Sequence, residues 1–245
     1  MELGAYECRV YVDLGELVDG PRPVRRLAER LGHGTVPSID EALLLLELEP
    51  EHAAIRERLT TALAGAAAGR ARIEPGAVTA AAVRVLDGLP FDERRLWPVV
   101  RDALATAKPA PTDPDLAADI VRGLVLADTS SIGLDRGSVG RWFAEPPLRD
   151  ALRVNDADGS TWFDRAAFEL LVASVSELVG SARAAASTTA ANSARALEAS
   201  PAAVVPAVER GMAPDRLVDL AARAGYRVDR LLAELDGGPV GATPG

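Results

Sequence analysis

The residues best suited to chemistry lie at Asp156-Ala157-Asp158-Gly159-Ser160. Closely spaced carboxylates before a glycine resemble the middle of a calcium-binding EF-hand loop. Such a loop takes ligands from positions one, three, five and twelve around a glycine at six. With Gly159 at six, Asp156 and Asp158 fall on three and five. Position one is then Val154, which cannot ligate. Position twelve is Arg165, a positive charge where a bidentate glutamate should close the cage. Two carboxylates without a closing ligand do not replace calcium's hydration shell. The stretch therefore reads as a turn, with Asx hydrogen bonds and a glycine supplying positive φ. Thr161 is placed to cap the following helix, and Asp164 lies near the positive end of its dipole. Trp162 and Phe163 then read as anchors, packing the turn onto Trp142 and Phe143.

Other constellations are weaker. Cys8 is the sole cysteine, so no internal disulfide forms. His33 and His52 lie in other segments, and no nucleophile signature surrounds Cys8. Glu47, Glu49 and Glu51 straddle Pro50 without cysteine or histidine at ligand spacing, although His52 adjoins them. They read as a solvated helix junction. Trp97, Trp142 and Trp162 could stack on sugar rings. Each has apolar neighbours, so packing is the better reading, and Trp162 is the one expected to be exposed if any is. Asp215 to Asp236 resembles a helix-turn-helix, but its second helix is acidic overall and lacks a base-reading set. It reads as an αα-hairpin. No residue is assigned to catalysis, cofactor or metal.

The elements that must position these residues are mostly helical. The chain has 245 residues, 48% hydrophobic and 4% aromatic. Much of the apolar content is alanine, which favours helix but buries little area per residue. Close-packed helices are expected. A net charge of −9 opposes binding to nucleic acid or anionic membrane. No apolar run nears the ~20 residues that span a bilayer. The N-terminus lacks a signal-peptide pattern, and together with the single cysteine this gives a cytoplasmic expectation.

Tyr6 to Asp13 alternates in polarity and is the only clear strand, so the expected fold is an irregular multi-helix bundle with a single N-terminal β-strand. Residues 1–20 hold that orphan strand and a turn. Residues 21–108 form a first helical subdomain, with Ser38-Ile39-Asp40-Glu41 as a capping box. Pro98 places the start of its last helix near Trp97. Residues 109–114 form a Pro-rich linker, 115–236 a second helical subdomain, and 237–245 a frayed tail. Phe163 to Ala186 is the longest expected helix. Ser187 to Ser200 reads either as its extension or as a connector.

Two stretches resemble one family. They are AYECRVYVDLGEL, followed by LAERLGHGTVPSIDEALLLLELEPEHAAIRERL, and GRWFAEPPLRDALRVNDADGSTWFDRAAFELL. Both are similar to the helical region that follows the catalytic barrel in large bacterial proteins of the α-amylase family of glycoside hydrolases. The matching positions are Gly34, Val36, Pro37, Ser38, Glu41, Ala42 and Leu43, then Val154, Asn155, Gly159, Trp162 and Phe163. The resemblance covers about half the chain, mostly 5–59 and 141–171. It makes the orphan strand the last strand of a sandwich whose other strands lie upstream. The family's carboxylates belong to a barrel that this sequence does not contain, so no catalytic residue carries over.

The resemblance implies a non-catalytic accessory module that stabilises, assembles or positions an α-glucan-processing enzyme. Its partner would be a barrel-containing glycoside hydrolase subunit, or a second copy through the N-terminal strand. A free-standing helical interaction domain is the alternative, and a helix-turn-helix regulator the third reading.

Overall fold

The structure is a computed structural model and describes residues 23–68, 74–86, 93–196 and 211–237. Among these residues eleven α-helices account for nearly all regular structure, so the fold is mostly α. Two compact units are separated at Ala53/Ala54. No helix of the described residues is long and apolar enough to cross a membrane.

The first unit contains α1 (Val24–Leu31), α2 (Ile39–Glu47) and the start of α3 (Glu49–Ala68). The Ser38 hydroxyl accepts from the Glu41 amide at 3.3 Å and opens α2, as the capping motif predicts. Leu27, Leu43 and Leu46 form a small core of their own. Helix α2 ends at Glu47, and Pro50 stands in the first turn of α3, where its missing N–H costs nothing. Glu49 accepts from Arg26 at 2.8 Å and Arg30 at 3.1 Å, tying α1 to α3. Both pairs are exposed and contribute at most about 1 kcal/mol each.

The second unit is built around α4 (Pro75–Leu86). Gly76 through Val83 are buried without interruption. A helix apolar all round belongs inside a bundle, and here its small side chains let neighbours approach closely. The neighbours are α5 (Glu93–Thr106), α6 (Pro114–Leu126) and α9 (Arg165–Ala196). In α6, Leu116, Ala117, Ile120, Val121 and Leu124 form one buried face. The helices on both sides of residues 109–114 contribute to a single core. Asp113 caps α6 by accepting from the Leu116 amide at 2.9 Å, with Pro114 as its first residue.

Beyond α6 come a 3-10 turn (Thr129–Ser131), α7 (Arg136–Trp142) and α8 (Pro146–Ala151). Next is an antiparallel hairpin, β1 (Asn155–Ala157) and β2 (Ser160–Trp162). After α9 the described chain resumes with α10 (Pro214–Arg223) and α11 (Val228–Leu235).

Three sequence expectations change. The hairpin occupies a stretch expected to be an irregular turn, so strand pairing is found in the second half of the chain, while Tyr6–Asp13 lies outside the described residues. The helix containing Pro98 begins upstream, at Glu93; Pro98 itself is exposed, so its ring projects into solvent. The longest helix starts at Arg165 rather than Phe163 and continues past Ala186 to Ala196, so residues 187–196 follow the first of their two readings, an extension of that helix. Residues 197–210 and 238–245 lie outside the description.

Candidate functional site

The hairpin is the most informative surface of the molecule. Asp158 and Gly159 have φ of +52° and +69°, and Ala157 pairs with Ser160. Positive φ at both loop residues makes this a two-residue primed turn, for which Asp-Gly is a preferred sequence. The glycine fills a left-handed position that a β-carbon would strain.

The Asp156 carboxylate, at position three of the rejected EF-hand alignment, is engaged within the protein. Asp156 accepts from the Arg149 guanidinium at 2.8 Å through Oδ2 and from the Thr161 hydroxyl at 2.6 Å through Oδ1. These contacts tie α8 to the hairpin and one strand to the other. Thr161 is therefore a cross-strand residue and not the helix cap. The cap is Asp164, whose Oδ1 accepts from the Ala167 amide at 2.8 Å. Among the described residues no three His, Cys, Asp or Glu side chains gather as a metal would require.

Trp162 and Phe163 diverge. Phe163 is buried and meets Phe143 at 5.0 Å and Phe168 at 4.9 Å between ring centroids, with Tyr226 edge-on at 5.8 Å. Trp142 is fully buried beside Phe168, and its indole N–H donates to the Ser131 carbonyl at 2.7 Å. Successive strand residues point to opposite faces, so placing Phe163 inward turns Trp162 outward. Trp162 is 40% exposed. Trp97 is half-buried against the core.

The exposed indole is held on both sides. Its backbone pairs with Asn155 on β1 and bridges to Arg227 at the start of α11. The Arg227 guanidinium lies 5.6 Å from the ring centroid, a cation–π contact. Arg227 in turn donates to both oxygens of Asp229, at 3.2 and 2.8 Å. Those hydrogen bonds hold the Asp229 carboxyl below its ordinary pKa, against an opposing effect of burial.

The C-terminal helix pair is a packing hairpin. Gly225 and Tyr226 turn the chain at φ +64° and +58°, the Tyr226 carbonyl accepts from the Phe163 amide, and Leu217 and Leu231 are fully buried. Arg136 of α7 pairs with Asp236 beside a shallow groove lined also by Gly137, Gly140 and Leu232.

Of the remaining candidates, Cys8 lies outside the described residues. His33 is exposed in a turn, and His52 is buried. Glu49 is engaged by two arginines, as above. The residue that sequence reasoning missed is Arg227. Its contact with Trp162 spans a long sequence separation and has no local signal. No family model, no curated protein and no solved structure matches this chain.

Proposed function

We propose that the chain is a non-catalytic helical accessory module that assembles with, or positions, an α-glucan-processing enzyme of the α-amylase family. The observation that carries the proposal is the hairpin itself. Val154, Asn155, Gly159, Trp162 and Phe163, the second of the two sets of positions that carry the sequence resemblance, form one continuous feature with distinct physical duties. Gly159 supplies the turn, Phe163 anchors the core and Trp162 remains at the surface. The acidic residues of this feature serve structure: Asp156 bridges β1 to α8, and Asp164 caps α9. That part of the resemblance coincides with one folded feature, which is better support than matched letters scattered over a sequence.

The test is affinity capture with the full chain as bait, from the cells that make it. A captured protein carrying a (β/α)₈ barrel and its catalytic carboxylates supports the reading. A stable, partnerless monomer favours a free-standing helical interaction domain. Release of reducing sugar from maltodextrin by the purified chain overturns the non-catalytic assignment.

A further inference from the structure

We propose that residues 6–14 of this chain dock along the outer side of α2 and cover Leu44 and Leu45. The inference is independent of the function proposed above, which rests on the hairpin of the second unit.

Among the described residues four large hydrophobic side chains are exposed, and three of them, Ile39, Leu44 and Leu45, stand on α2. Leu43 and Leu46 form a core with Leu27 of α1. With 3.6 residues per turn, Leu44 and Leu45 fall on the side of α2 away from that core. The same side continues past the helix end. The Leu48 amide donates to the Leu44 carbonyl at 3.0 Å and the His52 amide to the Leu48 carbonyl at 2.9 Å, which stacks Leu44, Leu48 and His52 one turn apart. Helix α2 is thus apolar on two opposite sides, and a helix apolar all round belongs under cover. At the far end of the stripe the buried His52 has no hydrogen-bond partner for Nε2 among the described residues.

The size of the surface selects a tethered occupant. Leu44 and Leu45 are 37% and 42% exposed. Two partly exposed leucines offer far less than the roughly 800 Å² per partner that joins separate chains stably. A separate chain also loses translational and rotational freedom on binding. A segment of the same chain avoids most of that loss, because tethering gives it an effective concentration on the order of millimolar. Charge tells against a second copy of α2. Asp40, Glu41 and Glu47 are its charged residues, and it has no Lys or Arg, so two such faces repel.

Residues 6–14 have the matching pattern. Tyr6, Cys8, Val10, Val12 and Leu14 alternate with Glu7, Arg9, Tyr11 and Asp13. An extended run of that kind has one apolar side to cover and one side for water. Its backbone N–H groups are donors of the kind His52 Nε2 lacks. Reach is short. Arg26, in the first turn of α1, donates to Glu49 at 2.8 Å, so the chain enters α1 close to the end of α2. Leu45 stands about 6 Å before Glu49 along the helix. Residues 15–22 span up to about 28 Å when extended, which is ample. The other segments outside the description all attach to the second unit.

Cys8, the sole cysteine, makes the test direct. Leu44→Cys, Leu45→Cys and Glu29→Cys chains are treated with a short bismaleimide at two protein concentrations, and linked peptides are identified by mass spectrometry. Glu29 is exposed, two residues from Leu27 and so on the opposite side of α1, and serves as the control. The expected result is a link from Cys8 to position 44 or 45 within one chain. Its rate does not depend on protein concentration and exceeds linking to position 29 by at least about tenfold. In the unsubstituted chain Cys8 reacts with Ellman's reagent more slowly in buffer than in denaturing urea. Leu44→Glu combined with Leu45→Glu speeds the reaction in buffer by at least about tenfold, since two leucine contacts are worth more than one factor of ten. Thermal melts of each variant check folding. Links that join two chains and grow with concentration overturn the proposal in favour of a second copy. Equal linking to positions 29 and 44 overturns it, as does unchanged Cys8 reactivity in the folded double variant. Equal Cys8 reactivity in buffer and in urea overturns it without any variant.

Discussion

Gly76 on α4 stands so close to Ala173 on α9 that a β-carbon added at Gly76 would lie 2.4 Å from the Ala173 β-carbon and 2.8 Å from its carbonyl carbon. Two helix backbones meet there with no room for a methyl group. Gly76→Ala should therefore destabilise the protein by about 1–3 kcal/mol through overpacking, although alanine is the better helix former by ~1 kcal/mol. The control is Gly180→Ala on the exposed part of α9, where an added β-carbon meets nothing within 4 Å. That variant should be stabilised. Urea midpoints compare the two, and a rise for Gly76→Ala would refute the close crossing.

Trp142 is the largest fully buried side chain, and its N–H satisfies the Ser131 carbonyl. Trp142→Phe leaves a void and removes one of two hydrogen bonds to the Ser131 carbonyl, which also accepts from the Gly133 amide at 3.1 Å. The combined loss should be about 2–4 kcal/mol. Equilibrium denaturation measures it, and a cost below about 1 kcal/mol would mean that the site repacks.

Calcium should leave the protein unmoved. Asp156 spends its oxygens on Arg149 and Thr161, and Arg165 holds Glu169 at 2.8 Å. Calorimetry is expected to show no micromolar calcium binding, and the melting temperature should not change. Asp156→Ala should cost less than about 1 kcal/mol, since the carboxylate is largely exposed. A calcium-dependent rise in melting temperature, abolished by that substitution, would overturn the turn reading.

Asp135 gives the expected pH dependence. Burial pulls its pKa upward, but hydrogen bonds from the Ser138 hydroxyl at 2.7 Å and the Ser138 amide at 3.0 Å outweigh that, so the net shift is downward. A depressed folded pKa means that the unfolded chain takes up the proton first. The stabilisation is complete above the ordinary aspartate value of about 3.9 and is lost as pH falls through the folded value. Asp135→Asn should flatten the melting temperature between pH 5 and pH 3, by about one carboxylate's share. An unchanged slope would remove Asp135 from the acid transition.

The sequence was most legible where structure is local. Ser38 announces α2 through a hydroxyl three residues from the amide it binds, and the αα-hairpin read over Asp215 to Asp236 is found as α10 and α11. The hairpin escaped because its strands are three residues long and mostly polar, so period-two alternation had nothing to register. Asp158-Gly159 was a hairpin turn in plain view, but its carboxylates drew attention toward metal. The central position of α4 escaped for another reason. Alanine and glycine signal helix strongly but say little about depth, and only the α9 approach shows that Gly76 is there for closeness. Thr161 and Asp164 both have capping chemistry, and strand pairing decided between them. The Arg227 contact with Trp162 is a product of tertiary folding alone.

Leu217 and Leu231 are fully buried in the same core as Leu86 and Ile120. A ribosome releases this chain from its N-terminus, so α10 and α11 emerge after the helices whose core they complete. A chain ending at residue 210 should bind a dye that reports exposed apolar surface, and a dark result would show that the core closes without them. Because distant contacts slow folding, a core that lacks α10 and α11 exposes apolar surface until they dock, and such surface favours aggregation.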